Sequence, residues 1–451
     1  MGWFSKLLPG RNQNRPTATE SYKDIDPSQL NRGAERKSKY PKFLGSATDQ
    51  LRGVRGGQDV MARLKLRDAF TPAQPVSNSR RLAGRKEVLQ SLIRSLEDQR
   101  LHVVLYGERG IGKTSLLRVL SELAEEAQYV VRHTSCGEST GFDALMRAVM
   151  STIPLLYHAE YDPSDREIEQ GRSLSDLLPP TPVTANQVSD IFGPIAGTRL
   201  LLIIDEFDRS PTGDFRRSIA ELIKNLSDRS VRVQLVIAGV ASNLSELVEH
   251  IPSIRRNVLG LHVPVMDEEE VRELLQLGEE SSNLRFDEGA IRLIVTSSCG
   301  SPYLASLLGQ FSGLNAIDDQ RRVVDSDDVA KAIKVAVDEI EQRVSEGSIE
   351  KIRQCLAGTQ GGALSQLARI AMLKGGRIDT KASMDNDVAA SECERAIAAL
   401  GTASSLVRKL PGAVDGRYEF VEEGLPTYIW MRVTRDRIAN EISPDPGSIT
   451  A

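Results

Sequence analysis

The stretch from Leu101 to Ser115 constrains this chain more than any other. Leu101-His102-Val103-Val104-Leu105-Tyr106 is a compact apolar run that reads as a buried strand. It runs directly into Gly107-Glu108-Arg109-Gly110-Ile111-Gly112-Lys113-Thr114, and a helix is expected to begin near Lys113. Strand, glycine-rich loop and helix in that order build a phosphate cradle: glycines have no Cβ to block approach, successive backbone N–H groups wrap the anion, and the helix N-terminus adds a favourable dipole. An ordinary glycine turn would satisfy the glycines alone, but the eight residues meet GxxxxGK[ST] at every fixed position. The expected nucleotide-binding set is Gly107, Glu108, Arg109, Gly110, Ile111, Gly112, Lys113, Thr114 and Ser115. Lys113 is expected to reach the β- and γ-phosphates of ATP, and the Thr114 hydroxyl to ligate Mg²⁺.

A second signal lies about 90 residues downstream, where the apolar strand Leu200-Leu201-Leu202-Ile203-Ile204 ends in Asp205-Glu206. With the cradle upstream, Asp205 reads as the magnesium-side acid and Glu206 as the group that polarises the attacking water. Asp208 reads as structural. Further strands are expected at 129–133, 231–239 and 258–265, with helices between them, so the fold class is α/β with a parallel sheet and crossover helices.

From 267 onward the periodicity turns helical, and near the C-terminus SSLVRKL and RYEFV flank the turn PGAVDG. The expected division is a basic, largely disordered segment over 1–79, a nucleotide-binding domain over 80–266, a helical lid over 267–345, a winged-helix domain over 346–436 and a tail over 437–451. A proline-rich insertion at 157–198 should lie on the surface.

Composition removes other classes. Cys136, Cys299, Cys355 and Cys393 show no metal-ligand spacing, and the five histidines are scattered, so metalloenzyme and Cys/His chemistry have no support. No apolar run approaches the roughly 20 residues that span a bilayer, and the start lacks a secretory signal, so a cytoplasmic protein without membrane contact is expected. The net charge of -5 hides an asymmetry, because residues 1–70 carry 14 Lys/Arg against 7 Asp/Glu. That segment, with Arg32, Arg36, Lys37, Lys39 and Lys42, suits weak non-specific nucleic-acid binding. The stretch CERAIAAL, from Cys393 to Leu400, offers a single arginine and looks built for packing.

On these residues the chain resembles the AAA+ ATPases, and among them the STAND-like switch ATPases and the origin-recognition initiators. Ala83-Gly84-Arg85-Lys86-Glu87 is similar to the family's glycine-arginine signature near the adenine, although Val88 stands where the family has an acid. The resemblance implies that Asn243, or Ser242, senses the γ-phosphate and that Arg255 or Arg256 acts as an arginine finger. It also implies that Pro302, in Cys299-Gly300-Ser301-Pro302-Tyr303, lies near the base. The second-sensor arginine of many AAA+ motors is missing, since the chain reads SPYLAS there. The expectation is an ATP-binding, slowly hydrolysing regulatory switch that self-associates in its ATP state and meets a protein partner. A DNA-bound AAA+ initiator or transposition-type regulator is the alternative, and a small-molecule phosphotransferase is disfavoured for want of a second substrate site.

Overall fold

The computed structural model describes residues 58–76, 78–161, 164–165, 171–210, 213–241, 256–374, 376–380, 387–400, 405–409 and 416–442. In chain order these form α1 (Gln58–Ala69), α2 (Lys86–Glu97), β1 (His102–Gly107), α3 (Lys113–Glu126), β2 (Val130–Ser135) and α4 (Phe142–Met150). Then come α5 (Ala185–Phe192), β3 (Leu200–Asp205), α6 (Gly213–Asp228), β4 (Val233–Val240) and β5 (Val258–His262). The helical part holds α7 (Glu268–Ser282), β6 (Arg285–Phe286), α8 (Glu288–Ser298), α9 (Pro302–Asp318), β7 (Val323–Val324) and α10 (Ser326–Glu341). The chain closes with α11 (Glu346–Ala357), α12 (Gly361–Lys374), β8 (Arg377–Asp379), α13 (Asp387–Ala399), β9 (Val407–Lys409), β10 (Arg417–Phe420) and α14 (Leu425–Ile442).

Five strands make one parallel sheet in the order β2-β3-β4-β1-β5. All six residues of β3 are buried, which is why its sequence is an unbroken apolar run rather than an alternation. One face packs on α4, α5 and α6 through Met146, Val188, Phe192 and Ile223. The other packs on α2 and α3 through Leu92, Leu116, Leu117 and Leu120. The region 157–198 is therefore not merely a surface excursion. Leu174, Val183, Val188, Phe192 and Ile195 in it are buried, and Thr184 and Gln187 form a capping box that starts α5. Its prolines keep it out of the sheet without keeping it out of the core.

The largest correction concerns the N-terminal segment. Residues 58–69 are helical, and Leu66 and Phe70 are fully buried against α7 and α9. The helix can approach so closely because its partners carry glycine: a Cβ at Gly278 would meet Phe70 Cζ at 2.1 Å, and one at Gly309 would meet its Cε1 at 2.8 Å. The Gln310 side chain donates to Phe70 O at 2.7 Å and satisfies a carbonyl just past the helix end. The basic residues at 32–42 lie outside the described residues.

The lid and the C-terminal section share one apolar core. Within the latter, α11, α12, β8, α13, β9 and β10 give the order helix, helix, strand, helix, strand, strand, with an antiparallel sheet β8-β10-β9. The third strand, β8, adds to the two that the sequence suggests. The boundary expected at 436 falls inside α14, which runs on to Ile442. Trp430 in that helix donates from Nε1 to Ser297 O in α8 at 2.9 Å, tying the C-terminal section to the lid. Among the described residues no helix is long and apolar enough to cross a membrane.

Candidate functional site

The loop between β1 and α3 adopts positive φ at Gly107, Gly110 and Gly112, at 153°, 74° and 96°. At Gly110 and Gly112 an added Cβ would meet nothing within 4 Å, so the loop backbone opens onto free space and not onto packed protein. That space is a cavity of about 500 Å³ outside the carboxyl ends of β1, β3 and β4, the place where open parallel sheets bind ligands.

Lys113, Thr114 and Ser115 lie at the start of α3, and Asp205 ends the buried strand β3. Thr114 Oγ1 donates to Asp205 Oδ2 at 2.7 Å, so two elements far apart in sequence meet as the motifs require. Asp205 Oδ1 accepts from the Glu206 backbone N–H at 2.8 Å, which fixes the carboxylate plane. Lys113 Nζ donates to Gly107 O at 2.8 Å and to Glu108 O at 2.6 Å. Burial pulls its ammonium below the ordinary lysine value, while Glu108, Asp208 and Asp205 oppose that shift. The lysine is thus a buried cation held by carbonyls that phosphate oxygens can replace.

Glu206 sits in the left-handed region at φ 52°, and its carboxylate accepts from Arg209 Nη1 at 2.9 Å. Arg209 also lines the cavity, and sequence reasoning missed it. Asp208 lines the cavity too, but its Oδ1 accepts from the Val240 N–H at 2.8 Å, a bond that ties the turn after β3 to the end of β4.

Arg85 begins α2 in the left-handed conformation and is buried, donating from Nη2 to Ile111 O at 3.3 Å behind the loop. Its backbone N–H donates to Glu270 Oε1 at 2.8 Å, and the Gly84 N–H donates to Glu273 Oε2 at 2.8 Å, so α7 of the lid grips the start of α2. Burial lowers the Arg85 pKa, against the charges of Glu270 and Asp267. Pro302 occupies the first turn of α9 and faces the cavity with Tyr303.

Two groups of lining residues had no sequence signal. Leu274 and Leu277 of α7 form an apolar wall, and Thr71 to Val76, between α1 and α2, cross the mouth as a strap. The strap is anchored by Val76 N–H donating to Ser115 Oγ at 3.1 Å. Only tertiary packing brings these residues to the loop.

The finger and sensor expectations fare differently. Ser242, Asn243 and Arg255 lie outside the described residues. Arg256 is exposed, just before β5, whose first residue, Val258, pairs with His102 at the start of β1. It therefore stands at the opposite end of the sheet from the cradle and does not line this chain's cavity.

A family model described as novel STAND NTPase 1 matches residues 70–358, well over half of the 451 residues. The chain belongs to the novel STAND NTPase 1 family. It is a STAND NTPase, and the match begins at Phe70, on the residue that pins α1 to the lid. Among solved structures, the Walker-type ATPase of Pyrococcus abyssi is 16% identical, with a TM-score of 0.45 over 80% of this chain and 99% of that one. The RuvB Holliday junction branch migration motor of Thermotoga maritima is 16% identical, with a TM-score of 0.43 over 76% of this chain and 95% of that one. Cdc6p from Pyrobaculum aerophilum is 14% identical, with a TM-score of 0.43 over 82% and 98%. Such distant likenesses bear on no functional residue of this STAND NTPase. No functionally curated protein matches the sequence.

Proposed function

We propose that this STAND NTPase binds ATP in the cavity between the sheet and the lid, hydrolyses it slowly, and uses the nucleotide state to change how its C-terminal section is held. The observation that carries the reading is the convergence of Lys113, Thr114, Asp205 and Glu206 on one wall of a 500 Å³ cavity whose other wall is the lid.

The backbone N–H groups around Gly110 to Thr114 bind phosphate oxygens, and Lys113 exchanges its two carbonyl partners for them. Thr114 and Asp205 supply hard oxygen donors already in contact and fit Mg²⁺, which usually takes one or two protein oxygens and completes its shell with phosphate and water. When bound, Mg²⁺ neutralises charge on the phosphates. Glu206 orients the attacking water and accepts its proton at a carboxylate oxygen, which requires that carboxylate to leave Arg209. Its present ion pair is consistent with slow turnover.

The switch reading rests on a contact from the cradle itself. Arg109 Nη1 meets Glu423 Oε2 at 2.7 Å, immediately before α14. Both side chains are more than half exposed, and such pairs contribute about 0–1 kcal/mol, so phosphate charge beside Arg109 can compete with the contact. We read α11 to β10 as a winged helix that serves protein contact: Cys393, Ala396 and Leu400 are buried, and the stretch from Cys393 to Leu400 carries a single arginine, Arg395, for a groove. Self-association in the ATP state, a protein partner and a cytoplasmic location belong to the same proposal.

The test is light scattering after size exclusion with ADP, ATP and a non-hydrolysable analogue, for the wild type and Lys113→Ala. A nucleotide-dependent change of size or shape is expected in the wild type alone. Calorimetry should find ATP binding abolished in the variant with its melting temperature unchanged, and an unchanged ATP affinity would overturn the reading.

A further inference from the structure

A second cavity, of about 400 Å³, opens where α7 and α8 of the lid meet α12 and α14. Its floor is apolar and buried, made by Val271, Cys299 and the indole of Trp430. At its rim stands Leu373, 45% exposed, one of the few large apolar side chains left open to water among the described residues.

Two arginines frame this floor, Arg369 on α12 and Arg437 on α14. Arg369 lies over the Trp430 ring at 6.0 Å from its centroid. Among the described residues neither guanidinium has a carboxylate in ion-pairing range, whereas Arg272, Arg321, Arg353, Arg408, Arg432 and Arg435 of the lid and the C-terminal section do pair. The acids nearby are already engaged. Asp267 accepts from the Glu270 N–H at 2.8 Å as the N-cap of α7, and Glu268 pairs with Arg272 at 2.9 Å. The cavity thus combines free positive charge with an aromatic and aliphatic floor, and it is roomy enough for a small organic molecule.

We propose that this cavity binds a small organic anion, a phosphate or carboxylate on a planar apolar body, with the anion between Arg369 and Arg437 and the body on Trp430 and Leu373. Arginine suits the anion because its planar fork donates two parallel hydrogen bonds. The place is apt for a ligand that reports to the lid. Met266 borders both this cavity and the nucleotide cavity, and its N–H donates to Gly300 O at 2.8 Å across the junction.

The chain has two tryptophans, Trp3 and Trp430, so Trp3→Phe leaves Trp430 as the only one and its emission as the reporter. The full chain with that change is titrated with phenyl phosphate in excess Mg·ADP, which blocks the cradle, with benzoate and inorganic phosphate as parallel arms. A saturable emission change with phenyl phosphate is expected, and its midpoint should rise at least about tenfold in Arg437→Ala and in Arg369→Ala, each melting like its parent. Arg437 is exposed, so that variant carries no folding risk. Benzoate distinguishes a carboxylate from a phosphate preference, and inorganic phosphate, lacking the apolar body, should bind at least about tenfold more weakly than phenyl phosphate. Lys113→Ala without nucleotide must still give a saturable change that weakens when Arg437→Ala is added, so a failure of the nucleotide reading leaves this test intact. A non-saturating change, a midpoint indifferent to both arginines, or a signal lost with Lys113 would overturn the proposal.

Discussion

At the residue scale, Glu206 is the position where chemistry and restraint meet. Its carboxylate is bound to Arg209, three residues on, and its backbone is in the left-handed region that non-glycine residues visit rarely. Glu206→Gln keeps the shape and loses the charge, so ATP affinity by calorimetry should be retained while phosphate release falls at least about tenfold. Wild-type turnover in that variant would assign the water to another group. His102 carries a second, separate expectation. It is buried at the start of β1, its Nδ1 accepts from the Leu235 N–H at 2.9 Å, and burial pushes its pKa from 6.5 down to about 4. The unfolded chain takes up this proton below about 6.5 while the folded chain refuses it until about 4, so stability is lost as pH falls through that window. On this basis the wild type should lose about 3 kcal/mol more than His102→Gln between pH 7 and pH 4, as read by denaturant unfolding. Parallel pH profiles for the two proteins would show that His102 does not drive the acid sensitivity.

At the scale of elements, α1 is the unexpected part. Its apolar residues are too few to mark it as a core helix in a basic segment, yet Leu66 and Phe70 fill a groove made by glycines on α7 and α9. Glycine inside a helix costs roughly 1 kcal/mol relative to alanine, a cost offset here by close packing of an aromatic ring. Phe70→Ala should destabilise the fold by about 3–5 kcal/mol in chemical denaturation. Because the strap from Thr71 to Val76 follows directly, ADP affinity should weaken together with stability. A Phe70→Ala protein with parental ADP affinity at temperatures where it stays folded would separate the strap from the site.

At the scale of the whole molecule, the lid is continuous with the C-terminal section through one core, and the α/β part meets that body through Ala83 and Met266 in the same core and through polar contacts such as Glu270 with Arg85 and Glu423 with Arg109. A cavity closed by such contacts can open at modest cost, as a switch requires. Arg256 stands away from its own chain's cavity, so any role in hydrolysis is in a neighbouring subunit. Specific activity should then rise with protein concentration in the wild type and stay flat in Arg256→Ala, with ATP binding to the monomer unchanged. Flat wild-type activity across concentrations, with a monomer in every nucleotide state, would exclude the trans role.

The cradle, the strand ending in Asp205-Glu206 and the parallel α/β class were legible in the sequence because each is local. A strand, a loop and a helix start lie within about fifteen consecutive residues, and a strand buried on both faces shows as an unbroken apolar run. Arg85 and Pro302 came from the family resemblance, and they stand at helix starts on the cavity edge. What closes the cavity was not legible: Leu274 and Leu277 look like any helical core residues, the strap from Thr71 to Val76 has no periodicity, and Arg209 reads as a solvated charge. The strap and the lid wall reach the nucleotide site only because α1 packs on glycines far along the chain, at 278 and 309, and a contact of that separation leaves no mark on either segment alone. The sequence by itself thus determined the strand, glycine loop and helix start of the cradle, which short-range backbone geometry builds, whereas the walls, the latch between Arg109 and Glu423 and the second cavity under Trp430 were decided by tertiary packing, which joins surfaces whose partners no local pattern encodes.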